Sequence, residues 1–396
     1  MTHRPGGIGG YTRRTVLLSI GAAAVLIGHA AWSAEEARSA VRPTPAGVSF
    51  RRDALGATIP GGAKWIGGVT GVDGCIYGIP HFHPSILIID PAKQAATVTD
   101  LGVDLAVPTE SPGGRWSTGA LGEDGKIYCV PRSANTILVI DTNAQEAALT
   151  TMGAALRGAQ KWMGGVRGLN GKIYGIPMDS PDVLVIDPAS GSATRTDMGA
   201  DFSGRSKWSG GVLASNGKIY CIPRTAKDIL IIDPKTDTAT RTSMGLEEEA
   251  FQNWRGGVLG PDGKIYGVPR RSSTILIIDP ETETATTSNM GATLGTDLEA
   301  EASWRGGVLA QDGKIYCIPR DATRGVLVID PASNRAEVVA ANVDLSGPNK
   351  WSGGGVLGVD GRIYAIPYVA PDLLLMNVPG SPLNLDTLLS PHRNGL

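Results

Sequence analysis

Phenylalanine is nearly missing from this sequence, with 4 residues in 396. A core of this size must then be filled by aliphatic side chains in thin, closely stacked layers. The 54 glycines, about twice the usual share, suit the tight turns and close approaches such layers need. Charge is sparse as well: charged residues make up 19% and the formal net charge is −2. No basic run, aromatic-interleaved basic patch or acidic tail occurs, which excludes the usual footprint of a nucleic-acid binder and any global steering field. Beyond residue 34 no apolar run approaches membrane-spanning length. The signatures of the common enzyme classes are also missing. There is no G-x-S-x-G elbow, P-loop, H-E-x-x-H or Rossmann glycine fingerprint. With 42% apolar residues the chain still holds enough hydrophobic material for a packed core, so disorder is excluded too.

The first 34 residues differ from the rest. Arg13 and Arg14 precede an apolar stretch from Val16 to Ile27, and small residues, Ala31 and Ser33, follow. That is the layout of an export signal, and TRRTVLL is similar to a twin-arginine signal. The alternative for the same segment is an uncleaved N-terminal membrane anchor. The expected organisation is a signal or anchor over 1–34, a linker over 35–46, one domain over 47–380 and a tail over 381–396.

That domain is a repeat. Trp65, Trp116, Trp162, Trp208, Trp254, Trp304 and Trp351 recur at spacings of 51, 46, 46, 46, 50 and 47 residues. Each leads into a Gly-rich apolar run, then an Asp-Gly or Asn-Gly pair, then a run of the form K-I-Y-x-I-P. A third apolar run such as ILIID and a fourth, polar-alternating one such as TATRTSMG complete the unit. The Asp-Gly and Asn-Gly pairs predict hairpins with type I′ turns. The prolines from Pro80 to Pro367 end second strands, because proline cannot donate to a continuing ladder. The third runs lack alternation, so both their faces are expected to be buried. Seven units of four strands predict an all-β, seven-bladed β-propeller. The last unit has three strands, and VSFRRDALG at 48–56 matches the missing fourth, so an N-terminal strand is expected to complete the last blade and close the ring.

The Gly-Gly run, the D-G-K-I-Y run and the I-D-P run together resemble kelch-type and related propeller repeats over roughly residues 47–380. The resemblance implies a propeller superfold, which hosts many functions and so implies little about this one.

In such a ring the Trp segment and the segment after I-P share one rim. That rim carries Arg132, Arg224, Arg270 and Arg320 directly after the prolines. Near the tryptophans it carries Lys64, Arg115, Lys161, Lys207, Arg255, Arg305 and Lys350, with Asp179, Asp182, Asp228 and Asp321 in the same loops to blunt the field. The functional expectation is an Arg/Trp rim, with Trp116, Trp208, Trp254 and Trp304 beside the post-proline arginines, binding an anionic polymer, a glycan or a protein partner. The competing expectation is that each Trp wedges between blades and each Lys or Arg covers it. Blade one departs from the pattern with His81-Phe82-His83, where two histidines on one strand edge form a weak candidate metal pair. That pair carries the enzymatic alternative, a metal-assisted hydrolase, lactonase or lyase, and a purely structural surface protein is the third class. No other cofactor is indicated. Cys129, Cys221 and Cys317 hold one equivalent position in alternate blades and, like Cys75, are expected to be unpaired. Unpaired cysteines are tolerable in an exported protein that folds before export, as a twin-arginine signal implies. Because the first strands read G-G-V-L in nearly every blade, the expected site is a set of equivalent subsites in place of one asymmetric centre.

Overall fold

The computed structural model describes residues 41–109, 113–246, 253–294 and 303–380. The signal or anchor read over 1–34 and the tail over 381–396 lie outside the described residues. The described chain forms seven antiparallel sheets arranged as a seven-bladed propeller, and none of it is helical. The innermost strands run Trp65–Thr70, Trp116–Leu121, Trp162–Arg167, Trp208–Leu213, Trp254–Leu259, Trp304–Leu309 and Trp351–Leu357. Blade seven is completed by Ser49–Asp53, which pairs antiparallel with Leu373–Asn377 in the register Phe50↔Met376. Phe50 is buried and Arg52 holds Asp372 at 3.0 Å, so the N-terminal strand closes the ring as its sequence pattern indicates. Val41–Arg42, inside the stretch expected to be linker, adds in parallel to Arg335–Val339 as a fifth strand of blade six.

The hairpins stand where the Asp-Gly and Asn-Gly pairs place them, but their turns are not type I′. Gly74 donates to the Gly71 carbonyl at 3.0 Å, and in that turn only the glycine, with φ 79°, is left-handed. This is a type I turn closed by a left-handed Gly. The aspartate is there for its carboxylate. Asp73 accepts from the Cys75 backbone N–H at 3.1 Å and from the Tyr77 hydroxyl at 2.9 Å. Asp124, Asp262, Asp312 and Asp360 receive their tyrosine hydroxyls in the same way. The D-G-K-I-Y phrase is thus one hydrogen-bonded unit.

Each Trp pairs with the proline that ends the second strand, for example Trp208↔Pro223, and a bulge follows before the ladder resumes at Gly211↔Cys221. The Gly-Gly pair answers two constraints there. The first glycine makes the bulge, with φ 83° at Gly210. The second admits the neighbouring blade: a Cβ on Gly257 would lie 2.7 Å from Ile222 Cδ1 of the preceding blade. All seven tryptophan rings are buried, the most exposed at 1%. Each indole Nε1 donates to a backbone carbonyl of its own blade about one hairpin later, as in Trp208 to Asp228 at 2.9 Å and Trp116 to Thr136 at 2.8 Å. Cys129, Cys221 and Cys317 are buried and all four cysteines are free, as expected from their spacing around the ring.

Trp208→Phe leaves the Asp228 carbonyl without its donor and opens a gap between blades three and four. We expect a loss of about 2–4 kcal/mol in chemical denaturation. A change within about 0.5 kcal/mol of zero would show that the indole is not structural.

Candidate functional site

A belt of backbone hydrogen bonds encircles one mouth of the central channel. In blades one, two, three and seven the residue after the strand-ending proline donates its N–H to the residue before the Trp of its own blade, and its carbonyl accepts from the corresponding residue of the next blade. Arg132 N–H meets the Arg115 carbonyl at 2.9 Å, and Lys161 N–H meets the Arg132 carbonyl at 2.7 Å. The last blade joins the first where Lys64 N–H meets the Tyr368 carbonyl at 2.9 Å. It places seven post-proline side chains around the mouth: His81, Arg132, Met178, Arg224, Arg270, Arg320 and Tyr368. Neighbours touch. Arg132 Nη1 lies 3.4 Å from His81 Nε2, Arg224 Nη1 lies 3.4 Å from Met178 Sδ, and the His81 and Tyr368 rings are 6.0 Å apart.

Below this tier lies a second one, from the residue that follows each Trp: Ile66, Ser117, Met163, Ser209, Arg255, Arg305 and Ser352. Arg255 and Arg305 line a narrow axial cavity of about 30 Å³ with Ile66 and Met163. Their strands touch, since a Cβ on Gly256 would sit 3.1 Å from Gly306 Cα. Ile66 of blade one forms one buried apolar cluster with Met163 and Met178 of blade three.

Both inner arginines are nearly inaccessible, Arg255 at 9% and Arg305 at 7% exposure. Burial, and then the guanidiniums of Arg305, Arg224, Arg270 and Arg320, pushes Arg255 well below the usual arginine range. Burial and then Arg320 does the same to Arg305, with Arg132 and Arg270 adding to the effect and Tyr368 opposing it. Arg270 is pushed to about 10 by burial, Arg271 and Arg320. An arginine starting so high remains a cation at neutral pH, so the site keeps its charge and bears the repulsion. Among the described residues the acids within reach are few. Asp321 pairs with Arg320, and Asp179 is already bonded to the Ser206 N–H at 2.7 Å. Arg255 and Arg305 have no carboxylate partner among the described residues. The segments entering their strands, residues 247–252 and 295–302, contain acids in sequence (Glu247, Glu248, Glu249, Asp297, Glu299, Glu301) and lie outside the described residues. The Nε atoms of Arg132, Arg224, Arg255 and Arg320 are buried and unpartnered.

Several sequence expectations change here. Trp116, Trp208, Trp254 and Trp304 are not ligand contacts, because their rings are sealed between blades and their single donors are already used. The cations near the tryptophans fall into two groups. Lys64, Lys161, Lys207 and Lys350, each one residue before its Trp, are buried with Nζ on backbone carbonyls, such as Lys207 to Ser180 at 3.0 Å and Gly204 at 3.0 Å. Arg115 likewise binds the Phe82 carbonyl at 2.7 Å. Only Arg255 and Arg305, one residue after the Trp, face the axis. Asp182 and Asp228 do not blunt the rim. They hold Arg195 and Arg241 at 2.7 and 2.8 Å, and those guanidiniums lie over Trp162 and Trp208 on the far side of the loops.

The candidate metal pair His81 and His83 is also corrected. The buried His81 ring gives Nδ1–H to the Trp116 carbonyl at 2.6 Å and turns Nε2 to the Arg132 guanidinium, so neither nitrogen is open to a cation. His83 turns away to lie 5.3 Å from the Trp65 ring. Among the described residues no group of three or more His, Cys, Asp or Glu is placed to hold a metal. Burial, followed by the charge of Arg132, holds His81 near 3, so it is neutral at any ordinary pH.

Likeness to known proteins bears mainly on the fold. A repeat of unknown function, DUF6923, matches residues 67–205, about a third of the chain, and the matching repeat is not kelch. No curated protein matches. Among solved structures the chain is similar to a streptogramin B lyase, at 14% identity and TM-score 0.63 over 85% of this chain and all of that one. It is similar to a catalytically inactive variant of the virginiamycin B lyase of Staphylococcus aureus with quinupristin, at 13% identity and TM-score 0.63 over 84% of this chain and all of that one. It is also similar to the extracellular domain of a hybrid two-component system of B. thetaiotaomicron, at 10% identity and TM-score 0.59 over 84% of this chain and 42% of that one. At these identities the likeness establishes a seven-bladed propeller and nothing finer.

The depressed His81 value makes a pH prediction. Below pH 6.5 the unfolded chain protonates this histidine while the folded one does not, so stability falls as pH drops from 6.5 toward 3. His81→Gln should remove up to about 1.4 kcal/mol per pH unit of that slope in denaturation curves between roughly pH 6 and 4. Parallel slopes for the two proteins would mean that His81 is not buried as described.

Proposed function

We propose that this protein is an exported binding propeller whose ligand is anionic and seats on the arginines of the channel mouth. The observation that carries the reading is the pair Arg255 and Arg305, more than nine-tenths buried, aimed into the axial cavity and without an acid partner among the described residues. Buried cations are ordinarily paired, and a cluster that repels itself is retained where a partner arrives from outside. Guanidiniums converging from blades two, four, five and six suit carboxylate, sulfate or phosphate oxygens. The site is single and asymmetric, in contrast to the seven equivalent subsites that repetition leads one to expect. Export rests on the sequence of residues 1–34, and a ligand met outside the cell, whether glycan, anionic polymer or acidic protein segment, is part of the same proposal.

A catalytic reading is favoured by one observation: His81 stands in the arginine tier and is held neutral, as a base would need to be. Against it, Nε2 is turned to Arg132 and Nδ1 to a carbonyl. Ligand turnover that disappears in His81→Ala would move the assignment to a lyase or hydrolase.

The binding reading is tested by calorimetric titration of the full chain with sulfate, phosphate and citrate at low and high sodium chloride. One saturable site per chain, weakened by salt, is expected. Arg255→Met with Arg305→Met should lower affinity at least about tenfold while raising unliganded stability by about 1–2 kcal/mol, since two repelling buried charges are removed. The quadruple change of Arg132, Arg224, Arg270 and Arg320 to Ala should weaken binding without unfolding the ring. Salt-independent binding, or variants that bind like the parent, would contradict the proposal.

A further inference from the structure

The cation beside the tryptophan changes place in two neighbouring blades. In blades one, two, three, four and seven it stands immediately before the Trp, as Lys64, Arg115, Lys161, Lys207 and Lys350. In blades five and six that place is held by Asn253 and Ser303, and the cation stands immediately after the Trp, as Arg255 and Arg305. The shift takes it off the backbone carbonyls that the lysines use and into the lining of the axial cavity. The two charges also stand close together, because their strands approach until a Cβ on Gly256 would lie 3.1 Å from Gly306 Cα.

The other side chains of the lining are hydroxyls or apolar, and none is a carboxylate. Thr118 and Ser209 supply the hydroxyls, and Ile66 and Met163 the apolar part. Thr118 Oγ1 accepts the Gly165 N–H at 3.1 Å, which leaves its own proton to give. Arg255 Nε is buried without a partner, and so is Ser352 Oγ, next to Gly353 and Gly354 of the lining. Both are donors, so the cavity is built for an acceptor. No residue of the post-proline tier lines it. A water needs about 10–15 Å³ of such space, so about 30 Å³ has room for roughly two waters or one small ion, and none for a sugar ring.

We infer that Arg255 and Arg305 hold one free halide-sized anion in the axial cavity, with the Thr118 and Ser209 hydroxyls completing its shell. This rests on the anion reading above and names what the inner pair takes: a free ion, and not a charged group carried by a larger ligand. A single negative charge there turns the repulsion between two guanidiniums into two attractions. A large, weakly hydrated halide loses less than fluoride does on leaving water for a site walled partly by Ile66 and Met163.

The test is thermal unfolding of the full chain in chloride-free buffer, with sodium bromide raised to about 0.1 M and sodium fluoride as the strongly hydrated control. Bromide should raise Tm by about 2 °C or more along a saturating curve, and fluoride should shift it less. Arg255→Met with Arg305→Met should abolish the bromide shift. The quadruple change of Arg132, Arg224, Arg270 and Arg320 to Ala should keep most of it. A shift that does not saturate, or one equal in the parent and the double variant, would be an ordinary salt effect and would overturn the inference. A shift kept in the double variant and lost in the quadruple one would place the ion on the outer arginines and overturn it too. Where the double variant does not fold, diffraction at the bromine edge from a parent crystal soaked in bromide decides. A peak touching both inner guanidiniums is expected, and peaks confined to the outer arginines or to surface lysines would contradict the inference. Bromide behaving as expected while sulfate, phosphate and citrate fail to saturate a site would leave this ion standing and remove the ligand reading. Saturable citrate binding without a bromide shift would do the reverse.

Discussion

Everything at the mouth of this propeller depends on the backbone belt that links the post-proline residues His81, Arg132, Met178, Arg320 and Tyr368 to the residue before the next blade's tryptophan. The belt is possible because the Trp and Pro are paired in register and the buried indole locks the loop that follows. With N–H and carbonyl both committed, as at His81, Arg132, Met178 and Tyr368, the post-proline residue has one remaining freedom, its side chain, and that side chain lies at the channel mouth. The scaffold can therefore change His to Arg to Met to Tyr from blade to blade without changing a single belt hydrogen bond. A uniform frame carries a non-uniform site.

The non-uniformity has an electrostatic cost that the frame tolerates. Four guanidiniums in the outer tier and two in the inner one face a common space with few acids to answer them. The lysines that precede the tryptophans solve the same problem differently, by delivering their ammonium groups to backbone carbonyls. The contrast separates the lysines, which hold blades together through carbonyls, from Arg255 and Arg305, which are buried without a carboxylate partner among the described residues. Repulsion of this kind costs stability, and an anion seated among the guanidiniums, as proposed above, would relieve it and so couple occupancy to ring stability.

Much of the fold was legible in the sequence, because propeller constraints are local and repeat. The seven tryptophans, the Asp-Gly turns, the strand-ending prolines and the orphan VSFRRDALG strand carried blade number, strand order and closure. The turn type was misjudged because the aspartate looked like a turn former, when its second task is to receive a tyrosine hydroxyl. The four post-proline arginines were visible as a set. What escaped was register around Trp: residues immediately before and after it play different parts in the strand entry, so Lys207 and Arg255 looked equivalent and are not. The variable position after Trp, reading Ile, Ser, Met, Ser, Arg, Arg, Ser, was the available signal for an asymmetric site, hidden by the invariance of the glycines beside it. The Arg/Trp pairing expected from composition dissolved for a related reason. An indole that recurs with every blade is filling the same gap every time.

The most direct test of the central claim, one anion site at one mouth, is a crystal of the full chain grown or soaked with selenate and measured at the selenium edge. The account predicts a single strong anomalous peak on the channel axis, within hydrogen-bond distance of Arg255 and Arg305. Weak peaks distributed over seven equivalent blade positions, or an empty mouth beside occupied surface lysines, would contradict it.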